Sequence, residues 1–169
     1  MTTRRLAMLV SVRRAAPEDA SAIADVLAAA FEEFRHAYTE AAHRATTPDA
    51  TVVRARFDEG PVWVAVRGGS VVGTVAAVEH RDELYVRSMA VTPDARGSGA
   101  AGRLLDEVEG HARALPVRRL RLSTTPFLEA AIRLYSAAGF RFTPDPPHEL
   151  HGTPLRTMVK DLDPGAPRG

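Results

Sequence analysis

The sequence predicts an α/β domain built on a mixed, mostly antiparallel sheet of about six to seven strands with flanking helices. Three observations carry this expectation. Residues 61–91 hold three consecutive β-rich runs separated only by short turns, the pattern of a meander. A helical stripe over 100–115 then lies between the last of those runs and an alternating run at 117–123. A strand–helix–strand order is the connection that parallel strands need, so this β-α-β unit is the parallel centre of the sheet.

Each element has its own signal. Residues 8–14, MLVSVRR, read as a first strand. Ile23, Val26, Leu27, Ala30, Phe31 and Phe34 recur at spacings of three and four, a helical stripe. Glu18 and Asp19 fall in its first turn, where the helix dipole favours negative charge. Residues 35–60 are polar and alanine-rich, and two shorter helices are placed there at 36–45 and 49–58. PVWVAV and SVVGTVAAVE form a hairpin around Gly68-Gly69, and LYVRSMAV follows after EHRDE. In the helix over 100–115, Leu104, Leu105, Val108 and Ala112 share one face. Thr125 and Pro126 read as N-cap and first residue of a helix that ends at Gly139. RFT and PLRTMVKDL make two last strands around a proline-rich loop at 143–154. One domain is expected over 8–162, with a disordered tail at 163–169.

Composition narrows the function. The chain has 169 residues, 45% hydrophobic and 25% charged, with a formal net charge of +1. No global field draws it to nucleic acid or to a membrane surface. It has no cysteine, which excludes disulfides, thiolate metal sites and a thiol nucleophile. The six histidines show no metal-ligand spacing, so no metal is expected. The apolar run near the N-terminus is broken by Arg13 and Arg14 and does not read as a signal peptide. A cytoplasmic protein is the default.

The chemistry centres on Gly97-Ser98-Gly99-Ala100-Ala101-Gly102, formally G-x-G-x-x-G. That pattern alone suggests an NAD(P)-binding oxidoreductase. Three features oppose it. The glycines follow three strands in mid-chain rather than the first strand. The strand VRRLRLS carries no acid for a ribose. Too few β-α-β repeats remain for a doubly wound sheet. Phosphate still suits the loop, because a helix N-terminus presents unpaired N–H groups and partial positive charge.

Val91-Thr92-Pro93-Asp94-Ala95-Arg96-Gly97-Ser98-Gly99-Ala100-Ala101 resembles V-x-P-x-x-R/Q-G-x-G-x-G/A, the acetyl-CoA motif of the GNAT superfamily of N-acetyltransferases. Leu134-Tyr135-Ser136-Ala137-Ala138-Gly139-Phe140 resembles the family's second signature, L-Y-x-x-x-G-F. The element order is also that of a GNAT domain. The resemblance implies transfer of acetyl from acetyl-CoA to a primary amine, on a small molecule or a peptide, by direct attack in a ternary complex. A non-catalytic acyl-CoA-binding GNAT domain is the alternative. Relatives commonly dimerise, so a homodimer is one expected assembly.

The same resemblance distributes roles. Main-chain N–H groups of Arg96, Gly97, Ser98, Gly99, Ala100 and Ala101 would hold the CoA pyrophosphate. Met89, Ala90 and Val91 would lie along the pantetheine arm, one N–H polarising the acetyl carbonyl. Gly102 is left as a helix-packing residue. Tyr135 would be the general acid, since a phenol of pKa near 10 is protonated at neutral pH. Relatives often carry a glutamate six residues before the V of V-x-P; here that position is Tyr85. Glu83, two residues earlier on the same strand face, becomes the candidate proton acceptor, with Glu79, His80 and Ser123 as others. An asparagine common in relatives, three residues before Ala131, is Leu128 here. His148 and His151 fall in a loop that could line the acceptor pocket.

Overall fold

Alternating apolar runs and the turns between them fold into an eight-stranded sheet in the computed structural model, which describes residues 9–162. The elements run β1 (Val10–Arg14), α1 (Ala20–Phe31), α2 (Glu40–Thr46), α3 (Ala50–Arg56), β2 (Val62–Arg67), β3 (Ser70–His80), β4 (Glu83–Val91), α4 (Ala100–Arg113), β5 (Arg119–Thr124), α5 (Glu129–Ala137), β6 (Arg141–Phe142), β7 (His148–Leu150) and β8 (Thr153–Asp161). The strand order is β1-β2-β3-β4-β5-β8-β6, with β7 also pairing β8. Among the described residues only β4 and β5 pair in parallel. This is the expected mixed sheet with its central β-α-β unit, and it is not doubly wound.

Each face of the sheet has its own core. Leu104, Val108 and Ala112 of α4 pack against Leu84, Val86 and Leu120. Ile23, Val26 and Leu27 of α1 pack on the opposite face with Val62, Val64 and Ala76. The period-two alternation of β4 therefore decides what faces what. Leu84 and Val86 point to α4, and Tyr85 and Arg87 point to the α1 side. No helix among the described residues is long and apolar enough to cross a membrane.

Four expectations need correction, each for a physical reason. The first helix is shorter than its stripe: Pro17–Asp19 and Glu32–Phe34 are single 3₁₀ turns flanking α1. The helix placed at 36–45 starts only at Glu40, where the Thr39 hydroxyl accepts from the Ala42 N–H at 3.1 Å. Thr125 is not an N-cap. Residues 125–128 form a turn closed by Leu128 N–H to Thr125 C=O, 3.2 Å, and α5 begins at Glu129. Phe127 in that turn packs edge-on against Tyr38, centroids 4.8 Å apart, and this tertiary contact overrides the local cap signal. The loop at 143–154 contains β7, which turns at His151-Gly152 and pairs back on β8. Met8 and the tail 163–169 lie outside the described residues.

Candidate active site

The site is made by strands that part company. β4 and β5 are in register only over Glu83–Tyr85 against Arg119–Arg121. β4 then continues to Val91 and β5 to Thr124 without pairing each other. The free edge of β4 presents unpaired N–H and C=O groups toward the gap, a template for an added strand.

A β-bulge sharpens the divergence. Ala76 pairs Arg87 and Thr74 pairs Ala90, so Ser88 and Met89 together oppose Val75. Ser88 adopts a left-handed φ of 53°, rare for a residue with a side chain. The bulge shifts the alternation by one residue. Met89 and Val91 join the α4-side core, and Ala90 joins the α1-side core.

The gap opens into a cleft of about 470 Å³. Met89, Ala90 and Val91 form one wall. Arg96, Gly97, Gly99, Ala100, Ala101 and Gly102 form the end at the N-terminus of α4. Leu128, Ala131, Leu134 and Tyr135 of the α5 region close the opposite side. Of the residues assigned to cofactor binding, only Ser98 lies outside the lining; its hydroxyl accepts from the Ala100 N–H at 3.3 Å.

The loop's donors divide in two. The N–H groups of Arg96 and Ser98 bond to Pro93 and Ala95 carbonyls, and that of Ala100 to Ser98. Those of Gly97, Gly99, Ala101 and Gly102 have no partner among the described residues. Gly97 (φ 79°) and Gly99 (φ 85°) hold the left-handed conformation that this alternation requires. A Cβ on either would meet no atom within 4 Å, so both border open space. The same holds at Gly102, which corrects its reading as a packing residue: it faces the cleft. The Arg96 guanidinium bonds the Ala30 carbonyl at 3.3 Å and pairs with Glu33, tying the loop to the end of α1.

Tyr135 sits across the cleft from that loop, 7% exposed and tilted against Phe140 at 5.7 Å. Burial, then the neighbouring phenols of Tyr38 and Tyr85, raise its pKa well above the ordinary tyrosine value. Its hydroxyl makes no hydrogen bond within the described residues. Burial likewise pushes Tyr38 up to about 12, opposed by the nearby hydroxyls of Thr125 and Thr46.

Glu83 is not brought to the cleft. Its carboxylate accepts from Arg121 Nε at 2.6 Å and lies within 3.8 and 4.0 Å of Arg118 and Arg119. Three guanidinium groups occupy it, so it clamps the short parallel pairing where β4 and β5 begin together. Glu79 and His80 are exposed at the far end of β3. Ser123 stands past the last β4–β5 pair, with its Oγ 3.3 Å from His148 Nε2. Asp145 in the same loop lies 4.0 Å from Arg121.

A parted parallel strand pair, a loop of alternating free N–H groups and a buried tyrosine now stand together. The model of the Acetyltransferase (GNAT) family matches residues 23–140. The chain belongs to the GNAT family. It is 39% identical over 79 residues to an IAA acetyltransferase of Azospirillum brasilense, covering 46% of this chain and 52% of that one. It is 34% identical over 90 residues to a probable N-acetyltransferase family 8 member 5 of Mus musculus, covering 50% and 40%. The chain thus spans about half the length of these curated relatives or less. In fold it is similar to PaiA N-acetyltransferase of Thermoplasma acidophilum in complex with coenzyme A, with a TM-score of 0.76 at 14% identity over 90% of this chain and 99% of that one. It is also similar to YncA of Salmonella typhimurium with its cofactor acetyl-CoA, with a TM-score of 0.72 at 23% identity over 95% and 98%.

GNAT acetyltransferases use acetyl-CoA, and this cleft fits it. Open space above Gly97 and Gly99 beside unpartnered N–H groups suits a pyrophosphate, and an unpaired strand edge suits the amide-bearing arm. Two site features escaped sequence reasoning. The bulge at Ser88 has no local signal, since serine does not advertise a positive φ. The pairing of Ser123 with His148 depends on β7 folding back over β5 and β8, although both residues were individually visible as candidates.

Proposed function

We propose that this domain, spanning residues 8–162, transfers an acetyl group from acetyl-CoA to a primary amine by direct attack in a ternary complex. One observation carries the reading: the free edge of β4 and the unpartnered N–H groups of the loop before α4 converge on a single cleft that Tyr135 closes. Acetyl-CoA, when bound, supplies an activated thioester carbonyl and a sulfur leaving group.

The chain's own groups do the rest. N–H groups of Gly97, Gly99 and Ala101 hold the anionic pyrophosphate, each contributing a hydrogen bond of about 1.5–3 kcal/mol to a charged group. The β4 edge at Met89–Val91 orients the arm and aims an N–H at the carbonyl oxygen. Tyr135 holds a proton at Oη, and burial keeps it there at neutral pH. An amine arrives mostly protonated, so a base must take its proton. Glu83 is committed to arginines, so the proton acceptor in this reading is His148 Nε2, 3.3 Å from Ser123 Oγ, reached from the cleft through water because neither residue lines it. Leu128 makes the cleft apolar where relatives often carry an asparagine.

The experiment is thiol release from acetyl-CoA across an amine panel, with mass spectrometry of the acetylated product. Turnover with formation of an N-acetyl product is the expected result. Tight CoA binding with no turnover on any amine would favour the non-catalytic acyl-CoA-binding reading.

A further inference from the structure

The α1 face of the sheet beside the bulge carries an unbalanced positive charge. Arg87 reaches this face from β4, and Arg56 reaches it from the last turn of α3. Arg56 Nη1 donates to Ser88 Oγ at 3.2 Å, so its guanidinium sits at the bulge itself. Arg87 pairs with Glu59, the only carboxylate within ion-pair distance of either guanidinium among the described residues. Two guanidinium groups thus share one acid. Arg87 Nε is buried and donates to nothing among the described residues. Burial and the Arg87 charge both lower the pKa of Arg56, as expected for two cations pressed together with too little counter-charge.

The position gives the charge a purpose. Ser88 directly precedes Met89, which lines the cleft. Adjacent Cα atoms lie about 3.8 Å apart, so the residue that Arg56 bonds adjoins the cleft wall, and an α-amino acid carries its amine and its carboxylate on one carbon. We propose that Arg56 and Arg87 form a carboxylate subsite for the acceptor, so that the preferred amine is that of an α-amino acid. This rests on the acetyl-transfer reading. One net positive charge matches one carboxylate better than a dianionic phosphate, and the planar guanidinium fork suits carboxylate geometry. The same charge repels polyamines.

The test compares matched pairs with the full chain: methionine against 3-(methylthio)propylamine, and phenylalanine against phenethylamine. Wild-type kcat/KM is expected to favour each amino acid by about ten- to a hundredfold, the effect of a charged hydrogen-bonded contact. In Arg56→Met this ratio falls to near one, mainly through KM, and Arg56→Lys restores part of it. Calorimetric binding of methionine in the presence of CoA gives a second readout, expected in wild type and lost in Arg56→Met. Methionine binding without acetylation of any amine would uphold the subsite and refute the transfer reading. Acetylation with no carboxylate preference, or a preference that survives Arg56→Met, would overturn the subsite alone.

Discussion

Replacing Tyr135 with phenylalanine removes one oxygen from the cleft wall and nothing else. The ring keeps its tilted contact with Phe140 at 5.7 Å, and the hydroxyl has no hydrogen-bond partner to abandon. Fold stability is therefore expected to change by less than about 1 kcal/mol, or less than about 4 °C in Tm for a domain of this size. Proton donation to the departing sulfur is lost. General-acid catalysis contributes about 10²- to 10⁴-fold, which is about 2.7–5.5 kcal/mol of barrier. The assay is kcat by thiol release at saturating acetyl-CoA, with Tm measured on the same preparation. A kcat within threefold of wild type, with the fold intact, would refute the acid assignment. A large fall in Tm would show that the hydroxyl is structural.

The direction of the pKa shift adds a pH signature. Burial raises the Tyr135 phenol above its unfolded value of about 10, so the folded state resists losing that proton. Stability from this group is complete below about pH 10 and declines as pH rises toward the folded value. Wild-type kcat should accordingly show no alkaline loss attributable to this phenol below about pH 10. The Phe variant should also lose less stability than wild type above that pH. A wild-type alkaline limb near pH 8–9 that disappears in the variant would contradict a buried, protonated acid.

Three further outcomes are expected. Gly99→Val puts a branched side chain at a φ of 85° and into the open space of the loop. It should cost about 1–2 kcal/mol of stability and abolish the thermal shift that CoA gives wild type, so a retained shift would remove the pyrophosphate from this loop. Glu83→Gln should lower stability by about 1–3 kcal/mol through its lost arginine contacts while leaving kcat within threefold; a hundredfold loss of kcat would restore Glu83 as the base. His148→Gln should lower kcat/KM by about 10²-fold with the fold intact, and an unchanged kcat/KM would exclude the imidazole as proton acceptor.

The two halves of the site were unequally legible, and the reason is the range of the contacts that make them. The cofactor half is local. Its glycines, its helix N-terminus and the strand before them are contiguous from Met89 to Gly102, so their spacing in the chain is nearly their spacing in space. Where local reading failed there, it failed by one residue: Gly102 faces the cleft rather than a neighbouring helix. The strand order also followed from adjacent runs, apart from β7. That strand is three residues long and is held by pairing to β8 rather than by its own apolar pattern.

The acceptor half is assembled from distance. Arg56 meets Ser88 across 32 positions, Ser123 meets His148 across 25, and Glu83 meets Arg121 across 38. None of these pairs has a spacing that means anything along the chain. Glu83 shows the consequence. Strand periodicity placed it on the right face, but the face is long, and the parallel pairing with β5 brings arginines to it before the strands part. The residues proposed here for acceptor chemistry are those beyond the point of divergence, where pairing ends at Tyr85 and Arg121 and the bulge at Ser88 follows. A sheet that opens in this way separates its two tasks. Paired residues below the opening hold the strands together, and unpaired residues above it are free to bind. The same strand therefore carries a structural carboxylate at Glu83 and, beyond Arg87, the cleft wall at Met89.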